Sequence, residues 1–170
     1  MTGIRNSVLA ALVFFAIIAQ SVIFRFVSVD GVVPNLALIV VVVAAIARGS
    51  QFASILGFGT GLLLDLAPPA DHIAGRWALA LVVVGYLAGR VRHDAGPSAV
   101  AAVVTVAASS FVGTSIYALS GMVLHDPAVS VGEALGVIPL SVLYDVALTP
   151  FVLPVTMRLL RRLKPHEVAY

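Results

Sequence analysis

The sequence predicts an all-α polytopic membrane protein with six transmembrane helices and both termini in the cytoplasm. Three observations carry that prediction. Hydrophobic residues make up 61% of the 170 and charged residues only 11%, with a mean hydropathy of +1.10, whereas soluble domains hold about 45–50% apolar residues. The apolar residues gather into six runs near the ~20 residues needed to cross ~30 Å of hydrocarbon. The basic residues then divide very unequally between the two sides those runs define.

The runs cover roughly 7–27, 32–48, 51–69, 74–91, 97–121 and 132–158 of a single domain, 1–170. The first follows Arg5 and stays apolar through Phe24, then meets Arg25-Phe26-Val27 with no small-x-small cleavage pattern. It reads as an uncleaved span rather than a signal peptide. Asp30-Gly31 separates it from the second, which is short and β-branched between Leu38 and Val43. An unpaired strand in lipid leaves its backbone unsatisfied, so a helix is expected. Arg48-Gly49-Ser50 turns the chain into the third run, which stops at Pro68-Pro69, and the fourth opens beside Arg76-Trp77. Asp94-Ala95-Gly96-Pro97 precedes the fifth and His125-Asp126-Pro127 follows it; both are turn-forming clusters. The sixth carries Pro139, Pro150 and Pro154. Each proline removes a backbone donor and tends to kink a helix, so a broken last span is expected.

With the N-terminus in the cytoplasm and six crossings, Arg5, Arg48, Arg90, Arg92, Arg158, Arg161, Arg162 and Lys164 fall inside, while Arg25 and Arg76 fall outside. That is the positive-inside pattern. Five crossings would put the Arg158–Lys164 cluster on the wrong side. Trp77 is expected at the outer interface, where an amphipathic ring anchors. The net charge of +2 and pI near 9.4 reflect residues flanking apolar runs, which fits topology and the lipid bilayer better than nucleic acid. There are no cysteines, so disulfides and thiolate metal or redox sites are excluded. The connections are short, so soluble machinery is expected on other chains.

Asp65 and Asp145 are lone carboxylates within apolar runs. Such a charge at bilayer depth costs about 2.5–3.5 kcal/mol on insertion scales, and it is kept only where it faces protein, water or a partner. Ala53, Gly57, Gly61 and Asp65 recur every fourth residue, a series drifting only ~40° per step around a helix. Asp65 therefore continues a small-residue groove of the kind that lets helices approach closely. Gly85 and Gly89 give the fourth span a similar groove, and Thr105, Ser109, Gly113 and Tyr117 give the fifth a small, polar one. These grooves serve either packing within the chain or docking of another protein. Tyr144-Asp145 lies between two of the prolines, which suits a transporter's binding site or a polar seam in a static bundle.

Catalytic patterns are missing. The four histidines lie in connections or the tail, and there is no HExxH and no Gly-x-Ser-x-Gly. The Gly57–Gly61 run lacks the Lys-Ser/Thr of a phosphate loop. No enzyme activity, metal or cofactor is expected. Hydroxyls within the spans are expected to bond back to carbonyls of their own helices.

Several stretches together resemble the MreD family of rod-shape-determining membrane proteins. They are Pro34-Asn35-Leu36, Arg48-Gly49, Gly57 with Gly61-Leu62-Leu63-Leu64-Asp65-Leu66, Val84-Gly85-Tyr86-Leu87-Ala88-Gly89-Arg90, and Tyr144-Asp145 with Pro150 and Arg161-Arg162-Leu163. The chain departs from that family's pattern in the loop 68–75, and at Asp145, where an asparagine is common. The resemblance implies a non-enzymatic subunit of the bacterial cytoplasmic membrane that binds MreC, a protein with one span and a large extracytoplasmic domain. It also implies work alongside the MreB filament and a glycan polymerase and transpeptidase pair in peptidoglycan synthesis and cell shape. The implied fold is similar to the substrate-binding subunits of energy-coupling-factor vitamin transporters, and such a transporter subunit is the alternative function. Outer loops poor in polar and aromatic residues count against it.

Overall fold

A computed structural model describes residues 2–22, 26, 28, 31–68, 73–95, 98–126 and 130–162, with no side-chain detail for 2–6, 94–95 and 161–162. Arg25, Asp30, the loop 69–72, Gly96-Pro97, Pro127 and the tail beyond Arg162 lie outside them. The described chain is all-helical: α1 Thr2–Val22, α2 Leu36–Arg48, α3 Ser50–Leu66, α4 Arg76–Arg90, the short α5 Arg92–Ala95, α6 Ala99–Val123 and α7 Val131–Arg162. Each of the six apolar runs holds one main helix, of 13 to 32 residues. α6 and the stretch Val131–Leu160 of α7 are long and apolar enough to cross a membrane.

Local chemistry moves several boundaries inward from the hydropathy limits. α2 starts at Leu36 because the Asn35 side chain accepts from the Leu38 N–H at 2.9 Å, closing the first turn. α3 stops at Leu66, ahead of Pro68, since the residue before a proline is pushed out of the helical region. Gly75, at φ 100°, turns the chain into α4. The expected break in the last span is absent: α7 runs for 32 residues with Pro139, Pro150 and Pro154 inside it. Each proline removes one hydrogen bond, and packing against neighbouring helices holds the remaining ladder together.

α2 is the centre. Every residue from Leu36 to Ile46 is buried, the pattern of a helix apolar on all sides. α1, α3, α4, α6 and α7 pack around it, with α3 against α4, α4 against α6 and α6 against α7. At 13 residues, α2 is only about 20 Å long. α7 is far longer, so α2 begins alongside the middle of α7, where Asn35 meets Asp145. The outer surface is apolar: Phe14, Phe15, Phe58, Val104, Phe111, Leu143 and Phe151 are all exposed.

Candidate functional site

The two lone carboxylates perform the same task at two places. The first N–H groups of a helix have no partner within it and carry a partial positive charge. The N-cap of α4 is Gly75, which offers no side chain. Asp65, near the end of α3, replaces it: Oδ2 accepts from the N–H of Gly75 at 2.8 Å and of Ala78 at 3.2 Å, and Oδ1 from that of Trp77 at 3.1 Å. The side chain is buried. α3 thus caps α4 from across the hairpin.

Asp145 acts on α2. Its Oδ1 accepts from the Asn35 N–H and its Oδ2 from the Ser110 hydroxyl, each at 2.7 Å. Gln20 of α1 adds a third support, its Oε1 accepting from the Ala37 N–H at 3.2 Å. One helix start therefore draws partners from α1, α6 and α7. Ser110 reaches across to another helix, whereas Ser54, Thr60, Thr105 and Thr149 bond back to the carbonyl four residues earlier and Ser120 to the one three residues earlier. Tyr144 precedes Asp145 on α7 and is half-buried.

The glycine grooves of α3 and α4 face each other in antiparallel register. A Cβ on Gly57 would collide with the Leu81 carbonyl, and one on Gly61 with the backbone of Trp77 and Ala78. One on Gly85 would strike Ala53, and one on Gly89 would strike Ser50. The four glycines and Asp65 form one seam, while Asp145 belongs to a separate centre at the start of α2. On α6, a Cβ at Gly113 would press on Leu38 and Val84 at 3.0 and 3.1 Å.

No protein-family model, curated protein or solved structure matches this chain significantly. The reading of its sites therefore stands on geometry.

A third polar centre was not expected. Arg76 is counted on the outer side by the charge rule, yet it is buried, with its Nη1 2.5 Å from Asp126 Oδ2. Its Nε and Nη2 donate to the Tyr117 carbonyl at 3.2 and 2.9 Å, and its guanidinium lies 3.9 Å from the Tyr117 ring centroid. Trp77, expected to anchor at the outer interface, stacks on the opposite side of this assembly against Tyr117, with centroids 4.4 Å apart. The turn that presents Asp126 is well defined. Its N–H bonds to the Gly121 carbonyl and that of His125 to Met122, with His125 at φ 56°, the arrangement of a Schellman motif. The sequence signal was an acid and a base at the ends of two runs on the same side, 50 residues apart.

Above the start of α2 lies a cavity of about 290 Å³, lined by Gln20, Asn35, Trp77, Thr114, Tyr117, Ser141 and small or apolar neighbours. Its polar and aromatic groups come from helix ends (Gln20, Asn35 and Trp77) and from within α6 and α7 (Thr114, Tyr117 and Ser141), whereas the sequence pointed to the outer loops for such groups. Among the described residues, no group of three His, Cys, Asp or Glu side chains comes together.

Proposed function

We propose that this chain is a non-enzymatic scaffold subunit that crosses the bacterial cytoplasmic membrane six times with both termini inside. Its surface helices dock the spans of other proteins in the rod-shape machinery, foremost an MreC-like single-span partner. Through that partner it works with a glycan polymerase and transpeptidase pair and with MreB filaments. The partner identities rest on the resemblance set out above.

The membrane reading is supported by an inversion of burial. In a soluble protein the longest apolar helix belongs in the core. Here the core helix is the 13-residue α2, while the most apolar stretches of α6 and α7 are only 33% and 11% buried. Soluble monomers rarely expose contiguous apolar patches above a few hundred Å², and lipid is the natural cover for such a perimeter. A charge count of eight basic residues to two supports the orientation.

The observation that carries the scaffold reading is the engagement of both lone acids. Asp65 and Asp145 spend their oxygens on backbone N–H groups and Ser110. Those bonds give both acids a structural role in apolar sequence, which supports a scaffold over turnover or proton carriage. What the bundle offers the membrane is apolar helix surface.

The test is purification of the tagged chain from its native membranes in mild detergent, with identification of the stoichiometric partner. Recovery of a single-span protein with a large extracytoplasmic domain is the expected result. A second reading, substrate capture for an energy-coupling-factor type transporter, is favoured by the cavity at the start of α2. Recovery of an ATPase pair with a membrane coupling subunit would replace the scaffold reading with that one.

A further inference from the structure

We propose that the cavity above α2 binds a small, uncharged, planar molecule with a carbonyl-rich edge, such as a pyrimidine base or a heteroaromatic carboxamide. The site stands apart from the scaffold reading and holds whichever partner the bundle recruits.

The first argument is a cluster of orphaned polar groups. Gln20, Asn35, Thr114 and Ser141 all line the cavity and are 8%, 9%, 6% and 8% exposed. The oxygen of each amide is already in use, Gln20 Oε1 by the Ala37 N–H and Asn35 Oδ1 by the Leu38 N–H. That fixes both amide orientations and leaves Gln20 Nε2 and Asn35 Nδ2 as donors with no partner among the described residues. The Thr114 and Ser141 hydroxyls also have none there, whereas Thr60, Thr105 and Thr149 satisfy theirs within their own helices. Buried polar groups are nearly always paired, and each exception calls for a reason. Four around one space share a reason: something that hydrogen-bonds belongs in it.

The chemistry of the lining then selects the occupant. Two amide NH₂ groups donate only, and two hydroxyls either donate or accept. A matching edge is therefore rich in acceptors, with one or two donors. None of the described lining residues is charged, and burying an ion without a counter-charge is strongly unfavourable, so the ligand is neutral. Tyr117 carries the Arg76 guanidinium and Trp77 against its ring. With Tyr117 engaged by both, the outer face of the indole is the plate on which a planar ligand stacks. A volume of about 290 Å³ sits at the small end of ligand sites, which span about 300–1,000 Å³. One ring with its substituents suits it better than a large cofactor.

Trp77 is the sole tryptophan, so its fluorescence reports on this cavity directly. The full chain in lipid nanodiscs would be titrated with uracil and with nicotinamide. A saturable change in emission with at least one of them is expected. The double variant Thr114→Val/Ser141→Ala removes two hydroxyls with little change of shape. It should weaken that response by roughly ten-fold or more, since each lost hydrogen bond is worth about a factor of several. Its thermal midpoint without probe should be unchanged or higher, because two unpaired groups are gone. Absence of a saturable response to either probe would overturn the proposal and leave the cavity to water. A response that the double variant retains in full would also overturn it, because binding would then lie elsewhere.

Discussion

A carboxylate that accepts backbone N–H groups is hard to replace with anything lacking oxygen. Asp65 takes three such bonds, two of them on Oδ2. Asp65→Asn keeps one acceptor oxygen and should lower stability by about 1–2 kcal/mol, the range for losing a cap. Asp65→Leu strands three N–H groups, one buried and two part-buried, at a cost of up to about 1–3 kcal/mol each, and should sharply reduce protein abundance. Thermal midpoints and abundance, measured together, check both; equal abundance of Asp65→Leu and the parent would remove the capping account. Arg76 and Asp126 behave differently because they form a buried ion pair. Breaking a buried pair on one side costs about 3–5 kcal/mol, while replacing both with apolar residues is often neutral. Asp126→Leu alone should therefore be among the most damaging substitutions, and Arg76→Met added to it should recover much of the loss. A double variant no more stable than Asp126→Leu would show that Arg76 is held by Tyr117 rather than by its counter-ion.

Among the elements, the α3–α4 hairpin yields the sharpest contrast. Alanine is favoured over glycine inside a helix by about 0.5–1 kcal/mol. At Gly59, where a Cβ meets nothing within 4 Å, Gly59→Ala should raise the thermal midpoint. At Gly57, two residues earlier, the same change drives a Cβ into the Leu81 carbonyl. Gly57→Ala should lower the midpoint despite the better propensity, and like signs at the two positions would refute the close-packed seam. This seam was legible because four-residue spacing of small residues is a property of one helix, visible without knowing its neighbour. The start of α2 was less so. Asn35 and Asp145 each drew attention, but they are 110 residues apart, and nothing in local sequence pairs them. The prolines of α7 misled for the converse reason: a local rule predicted a break that the surroundings prevent.

For the molecule as a whole, the all-helical class was legible because composition and run length report on it directly. The central place of α2 was available in principle, since a helix apolar all round belongs inside, yet its shortness drew the eye to strand against helix instead. Arg76 was assigned by its charge alone, and charge counting carries no information on burial. The six-span orientation has a clean test, because the chain has no cysteine. Ser98→Cys and Ser130→Cys, both at exposed positions, should react with a membrane-impermeant maleimide from opposite sides: Ser130→Cys in intact cells lacking an outer membrane barrier, Ser98→Cys only after permeabilisation. Labelling of both from outside would overturn the orientation.

The N-terminus of α2 has a consequence for biogenesis. Gln20 emerges from the ribosome before α2, whereas Ser110 and Asp145 follow long after it. Until α7 arrives, the Asn35 N–H waits in an apolar setting without its carboxylate. Completion of the chain thus closes a latch on the first-buried helix. Products that stop short of Asp145 would carry an open end at their centre, with the Asn35 N–H lacking its carboxylate.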